Sequence, residues 1–127
     1  MSNPSGVVLD AGAFIAVERR SPVMVRLAQR FADTQTPLVT SAGVVAQVWR
    51  GGGRRQVPVA FLLRRAKVVD LTYAVARVLG KMLGEASRAD AVDAHVVLLA
   101  RERSWPVLTS DPQDLLELDP TLVVERI

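Results

Sequence analysis

Short apolar runs alternate with helix-like segments from one end of this chain to the other. The short runs predict five β-strands, over residues 7–9, 37–40, 67–71, 106–109 and 122–125. The segments between them predict helices over residues 11–18, 22–34, 42–50, 57–65, 73–86, 90–103 and 112–116. Ser21, Ser41 and Thr72 occupy the positions where helix N-caps are expected.

This alternation predicts an α/β fold in which helices cover both faces of a central parallel sheet of four or five strands. The chain contains no internal repeat and no linker long enough to separate domains, so we expect one domain over residues 1–127. Ligands of open parallel sheets bind beyond the carboxyl ends of the strands. The residues that directly follow each predicted strand are therefore the first candidates for function.

Composition narrows the chemistry that such a site can perform. The 127 residues include no cysteine and one histidine. These counts exclude a disulfide scaffold, a thiolate metal site, a cysteine nucleophile and a zinc site built from several imidazoles. Any catalytic metal is therefore expected to be a hard cation held by oxygen ligands.

The basic residues are almost all arginine. Sixteen Lys and Arg residues against thirteen Asp and Glu give a net charge of +3, and the lysines are Lys67 and Lys81. Arginine suits bidentate contact with phosphate, which favours a nucleic-acid partner; an Arg-rich surface that reflects a GC-rich genome is the alternative. No apolar stretch approaches the roughly 18–20 residues of a membrane span. We expect a soluble, cytoplasmic protein without a signal peptide.

Five aspartates are predicted to meet at one edge of the sheet, and we call this region the acidic edge. Asp10 ends the first strand, Asp111 follows the fourth strand, and Asp114 lies one helical turn later. Asp90 and Asp93 share a face at the start of the helix that precedes the fourth strand, and that helix must begin at the same edge. Clustered carboxylates repel one another unless a cation lies among them, which indicates Mg²⁺ or Mn²⁺.

Each of these aspartates also has a structural explanation. Asp10 and Asp111 can be helix N-caps, and Asp90 and Asp93 can complement a helix dipole. These structural roles explain the five aspartates less well as a group than one by one, because capping does not relieve the mutual repulsion of their carboxylates. His95 points to a different helix face from Asp93, so we expect it to have a packing or surface role.

Four blocks of sequence together resemble a PIN domain, and more narrowly the VapC toxins of bacterial toxin–antitoxin modules. The blocks are VVLDAGAFIA, TSAGVVAQVWRGG, ADAVDAHVVLLARE and VLTSDPQDL. The resemblance covers nearly the whole chain and implies a three-layer fold whose parallel sheet has the strand order 3-2-1-4-5. It also implies an endoribonuclease that depends on Mg²⁺ or Mn²⁺, a cognate VapB-like antitoxin as partner, and a homodimer.

Carried over residue by residue, the resemblance implies that Asp10, Asp93 and Asp111 are the catalytic, metal-binding aspartates. Asp90 and Asp114 are auxiliary acids in the same region. The implied mechanism places the metal on these carboxylates, where it activates a water molecule and neutralises charge on the phosphoryl oxygens.

One position departs from the family pattern. Many members have Glu in the helix after the second strand, and this chain has Gln47. An amide oxygen can accept a hydrogen bond or act as a weak ligand, but it adds no charge, so a second tightly held metal ion is in doubt. Arg50, Arg54 and Arg55, around the glycine run, are the first candidates for contact with the RNA backbone, and a solvated helix end is their alternative.

Apolar residues in segments 57–63 and 75–83 exceed what one sheet face needs. They predict a surface that a homodimer partner, an antitoxin or both would cover; an unusually large core is the alternative.

Two other functions compete with the nuclease. A phosphoacceptor receiver domain also gathers acids at the carboxyl ends of strands, but it needs paired acids after the first strand and a lysine near the end of the last strand. In this chain Asp10 stands alone after the first strand, and the only lysines are Lys67 and Lys81. A catalytically weakened PIN fold that serves as an RNA- or protein-binding module is supported by Gln47. The retained Asp10, Asp93 and Asp111 argue against it.

Overall fold

A computed structural model describes residues 5–87 and 90–127. Its centre is a sheet of five parallel strands in the order β3-β2-β1-β4-β5, which confirms the predicted fold class and strand order. The strands are β1 (Val7–Leu9), β2 (Leu38–Ser41), β3 (Ala66–Val69), β4 (Val107–Thr109) and β5 (Val124–Arg126).

Seven helices flank the sheet in the described ranges, and each corresponds to a predicted one. They are α1 (Ala11–Glu18), α2 (Pro22–Thr34), α3 (Ala42–Val48), α4 (Val57–Arg65), α5 (Tyr73–Ala86), α6 (Ala91–Arg103) and α7 (Pro112–Leu118). Ser21, Ser41 and Thr72 cap α2, α3 and α5 through their side-chain oxygens, as predicted. A short 3-10 turn at Arg54–Gln56, which the sequence did not predict, precedes α4.

Helix α3 ends earlier than its sequence predicted. The prediction extended it to Arg50, but it ends at Val48 and the backbone turns to an extended conformation at Trp49. The backbone N–H of Arg50 donates to the side-chain oxygen of Gln56, six residues later, instead of continuing the helix. The chain then passes through Gly51–Gly53, whose three φ angles are all positive.

The core lies between the sheet and two groups of helices. Val8, at the centre of the sheet, pairs with Val39 of β2 and Val107 of β4, and all three side chains are buried. Helix α1 packs against β1 and β4 and contacts α2, α3 and α4, whereas α6 packs against β1 and β2 and contacts α5 and α7. Within the described residues, no helix is both long and apolar enough to cross a bilayer.

The parallel register places the ends of β1 and β4 side by side. Leu9 pairs with Leu108, and the backbone N–H of Asp10 donates to the carbonyl of Leu108 at 3.1 Å. Helix α1 therefore begins beside the loop that links β4 to α7. Gly12 packs directly on this loop, and a Cβ at position 12 would lie 2.7 Å from the backbone nitrogen of Ser110.

We expect Gly12→Ala to destabilise the protein by about 1–3 kcal/mol, because the added methyl group meets backbone that cannot move without shifting α1 or the loop. The matched control is Gly80→Ala in α5, where a Cβ meets no atom within 4 Å. That variant should gain about 0.5–1 kcal/mol, since alanine favours the helix. Urea denaturation measures both; equal effects at the two positions would contradict the close packing of α1.

Candidate functional site

Asp10 brings a carboxylate into the protein interior at the end of β1. The residue is 8% exposed. One carboxylate oxygen caps α1 by accepting from the backbone N–H of Ala11 at 2.8 Å, and the other accepts from the hydroxyl of Thr109 at 2.8 Å. Burial raises the pKa of Asp10 above its ordinary value, and the negative charges of Asp90 and Asp114 add to this rise.

Thr109 connects two of the predicted site residues. Its buried hydroxyl donates to Asp10, and the same oxygen accepts from the backbone N–H of Asp111 at 3.0 Å. Sequence analysis did not identify this residue. Its signal was its position as the last residue of β4, two residues before Asp111.

Asp111 and Asp114 form a carboxylate pair at the start of α7. The pKa of Asp111 is raised, chiefly because its side chain shares a hydrogen bond with that of Asp114, and the charge of Asp10 contributes. Asp111 holds the N-cap position of α7, and a backbone hydrogen bond from Asp114 in the first turn partly offsets the rise in its pKa. Asp111 therefore combines a helix-start position with a place in the acidic edge.

Asp90 and Asp93 lie at the N-terminus of α6, as predicted. Asp90 caps the helix, because one of its oxygens accepts from the backbone N–H groups of Val92 and Asp93 at 3.0 Å each. Asp93 is half-buried in the first turn. The charges of Asp90 and Asp114, the two acids predicted to be auxiliary, both act on Asp10.

His95 has the packing role predicted for it. It is buried, and its Nδ1 lies 2.6 Å from the hydroxyl oxygen of Ser41. The same oxygen also accepts from the backbone N–H of Gly43. Burial lowers the pKa of His95, which favours the neutral ring. The bond ties the first half of α6 to the end of β2.

Arg50 and Arg55 line a groove of about 530 Å³ between α1 and the end of α3, together with Arg19 and Gln47. We call it the arginine groove and define it by Ile15, Glu18, Arg19, Gln47, Arg50 and Arg55. Arg54 is exposed and begins the 3-10 turn beside it.

The carboxylates of the acidic edge do not form a finished metal cage. Within residues 5–87 and 90–127, no three acidic or imidazole side chains are close enough to hold an ion together. Their chemistry nevertheless fits a hard cation, since they offer oxygen ligands and the pKa values of Asp10 and Asp111 are raised by burial and by neighbouring acids. A bound cation would remove this repulsion.

In EDTA, Asp10→Asn is expected to stabilise the protein at neutral pH. The raised pKa of Asp10 means that the folded state binds its proton more tightly than the unfolded state, so the wild-type protein loses stability as the pH rises above the ordinary value of 3.8. The loss is about 1.4 kcal/mol for each unit by which the pKa is raised.

Urea denaturation from about pH 4 to about pH 8 measures the difference between Asp10→Asn and wild type, which should grow with pH and then level off. Asp33→Asn, on the exposed face of α2, controls for the loss of one negative charge. A difference that does not depend on pH would contradict the cost of burying Asp10.

Comparison with known proteins places this arrangement in a family. The PIN domain family matches residues 7–119. No curated protein matches the chain significantly. Among solved structures, VapBC2 from Rickettsia felis bound to a DNA fragment from its promoter has a TM-score of 0.68 at 12% identity, covering 95% of this chain and 98% of that one.

Two other solved structures have the same fold. PAE2754 from Pyrobaculum aerophilum has a TM-score of 0.65 at 14% identity over 95% of this chain and 84% of its own. FitAcB from Neisseria gonorrhoeae has a TM-score of 0.60 at 18% identity over 93% of this chain and 95% of its own. With the family match over most of the sequence and the acids gathered at the carboxyl edge of a 3-2-1-4-5 sheet, this chain belongs to the PIN domain family.

Proposed function

We propose that this protein is a divalent-metal-dependent endoribonuclease that acts as the VapC-type toxin of a type II toxin–antitoxin module in the cytoplasm. PIN domains are generally nucleases and typically use divalent metals. The observation that carries the proposal is the mutual influence of acids from three elements: the charges of Asp90 and Asp114 act on the buried Asp10, and Asp10 acts on Asp111.

The proposed metal ligands are Asp10, Asp93 and Asp111, with Asp90 and Asp114 assisting directly or through water. When bound, Mg²⁺ or Mn²⁺ would lower the pKa of a coordinated water and neutralise charge on the phosphoryl group. Asp10 is held for this task by Ala11 and Thr109, which fix both of its oxygens.

Gln47 is proposed to act at most as a weak ligand or through a bound water. It is exposed on α3 and faces the arginine groove, and an amide adds no negative charge to the acidic edge. The site is therefore proposed to hold one ion firmly. Arg50, Arg54 and Arg55, all exposed, are proposed to contact the RNA backbone.

The proposed antitoxin would bind an apolar groove between α1, α2 and α4, with a volume of about 520 Å³. Val25 and Phe61, two of its lining residues, are 43% and 59% exposed. Arg20 and Arg65 also line it, so an apolar helix that carries acidic residues would match both its surface and its charge. VapBC2, which has a similar fold, was solved in complex with a DNA fragment from its promoter. This supports a partner that binds DNA.

Helix α5 exposes two large apolar side chains. Tyr73 and Val78 are 79% and 49% exposed, and Val78 lies in the predicted segment 75–83. We propose that this face contributes to a homodimer.

The alternative function, a catalytically weakened PIN fold that binds RNA or protein, is favoured by two observations. Gln47 lacks a charge, and within the described residues no three acids converge as a preformed cage. Metal-dependent cleavage of RNA distinguishes the endoribonuclease from the binding module.

Incubation of total RNA with the purified protein should give cleavage with Mg²⁺ or Mn²⁺ and none in EDTA. Asp10→Asn, Asp93→Asn and Asp111→Asn should each reduce the rate by at least about 100-fold, because removal of a ligand costs more than disturbance of the residues around it. Asp33→Asn is the matched control and should keep full activity. Metal-dependent cleavage by all three variants would contradict the proposed site, and no cleavage by the wild type would favour the binding module.

Phe61→Asp should weaken the complex with the proposed VapB-like antitoxin by at least about 10-fold, because it places a charge in the apolar groove. Val23→Asp is the control, since Val23 is 50% exposed on α2 but does not line this groove. Calorimetric titration measures both affinities, and RNA cleavage by the free variants should remain unchanged. Equal affinities for the two variants would place the partner on another surface.

A further inference from the structure

The buried side chain of Gln56 is hydrogen-bonded to three of the residues that line the arginine groove, Glu18, Val48 and Arg50. Gln56 is 3% exposed, and its side chain makes four hydrogen bonds. Its amide nitrogen donates to Glu18 Oε2 at 2.7 Å and to the carbonyl of Val48 at 2.9 Å. Its oxygen accepts from the backbone N–H groups of Arg50 at 2.7 Å and Gly52 at 3.2 Å. One buried side chain therefore joins α1, the end of α3 and the loop that carries the arginines.

The loop takes a shape that few sequences can adopt. Gly51, Gly52 and Gly53 have φ angles of 88°, 91° and 84°, in the region that favours glycine. Three consecutive residues of this kind would ordinarily give a mobile segment, but Gln56 anchors the loop at two backbone N–H groups. Arg50 and Arg55 are thus displayed from a defined position.

Two of the guanidinium groups, those of Arg50 and Arg55, have hydrogen-bond partners within the protein. Arg50 Nη1 donates to the carbonyls of Ala46 and Trp49, at 3.1 and 2.8 Å, so the group lies across the end of α3. Arg55 Nη2 lies 3.4 Å from Glu18 Oε1. Side chains that are already held lose less entropy when they bind a ligand.

The charge of the groove is positive after pairing. Its three guanidinium groups, on Arg19, Arg50 and Arg55, face one carboxylate, on Glu18. The hydrogen bond from Gln56, and then the charge of Arg55, lower the pKa of Glu18, so it stays ionised and occupied by these partners. Two positive charges remain for a ligand, and Gln47 adds an amide that can donate a hydrogen bond.

We propose that the arginine groove is a binding subsite for a phosphate of the RNA strand, away from the bond that is cut, and that Gln56 is the positioning residue that holds it in shape. This inference rests on the proposed function, because that function supplies RNA as the substrate. It adds Arg19 and Gln47 to the residues proposed to contact RNA. It also gives Gln56 and Glu18 the role of holding the groove arginines in position.

The position of the groove favours RNA over an acidic peptide. Asp10, in the acidic edge, caps the start of α1, and Glu18, in the groove, is its last residue. The two residues are about 12 Å apart along the helix axis at 1.5 Å per residue. A strand whose reacting phosphate lies at the acidic edge can therefore follow α1 to the groove within a few nucleotides. Planar guanidinium groups are suited to bidentate contact with phosphate oxygens.

The test measures how salt weakens the binding of a fluorescein-labelled, single-stranded RNA of mixed sequence, about 12 nucleotides long, by fluorescence anisotropy in EDTA, which prevents metal-dependent cleavage. For a single strand, the slope of log affinity against log salt falls by about 0.7 for each phosphate contact that is lost. Arg19→Ala, Arg50→Ala and Arg55→Ala should each reduce the slope by about this amount. Arg30→Ala, exposed on α2 outside the groove, should leave it unchanged.

Gln56→Met tests the positioning role, because it keeps the length of the side chain and removes its hydrogen bonds. We expect a fall in slope as large as that of Arg50→Ala although no charge is removed, which a merely structural substitution would not cause. If this variant does not fold, as judged by urea denaturation, the three exposed arginine variants still decide the subsite.

The proposal would be overturned by salt slopes equal to wild type in all three groove variants, or by the absence of RNA binding by the wild type. Binding of a deca-glutamate peptide that depends on the groove arginines, with RNA binding indifferent to them, would also overturn it and assign the groove to a protein partner. Metal-dependent cleavage of total RNA is measured separately on the same proteins. An inactive wild type refutes the proposed function, whereas unchanged slopes in an active enzyme refute the subsite alone.

Discussion

The burial of the Asp10 carboxylate at the carboxyl end of β1 is the constraint on which the functional surface depends. A buried carboxylate is costly unless its oxygens are bonded, and here Ala11 and Thr109 bond one oxygen each. These bonds begin α1 at Asp10 and fix β4 beside it. The remaining cost is electrostatic, because Asp90, Asp111 and Asp114 bring more negative charge to the same edge. This arrangement opposes stability in the free protein and favours a cation.

Local sequence was sufficient to predict most of the fold. Short apolar runs, N-caps and proline positions depend on near neighbours in the chain, and the helices and parallel strands they predict are present. The strand order 3-2-1-4-5, which the family resemblance implied, is also present. What the sequence did not show are contacts between distant segments. Thr109 bonds Asp10 across 99 residues and Gln56 bonds Glu18 across 38, and neither partner can be identified before the topology is known. The early end of α3 is a more local effect, since the backbone N–H of Arg50 donates to Gln56 only six residues along the chain.

In the candidate site, too, some features follow from the sequence pattern and others depend on the folded structure. The parallel order of the strands follows from the pattern of the chain, so the convergence of Asp10 and Asp111 at one edge could be anticipated. The spacing of one helical turn also placed Asp114 beside Asp111. The position of Gln47 in the arginine groove depends on the packing of α1 against α3 and does not follow from spacing alone. Three surfaces result around α1: acids at its start, arginines at its end, and an apolar groove beside it.

We propose that the acidic edge binds one divalent cation. Anomalous diffraction from crystals soaked in Mn²⁺ tests this most directly, because it locates the ion without reference to activity. We expect one strong peak at the acidic edge, with an oxygen of Asp10 at about 2.1 Å, and loss of that peak in Asp10→Asn crystals. A peak at another surface, or none at the acidic edge in a fully soaked crystal, would contradict it.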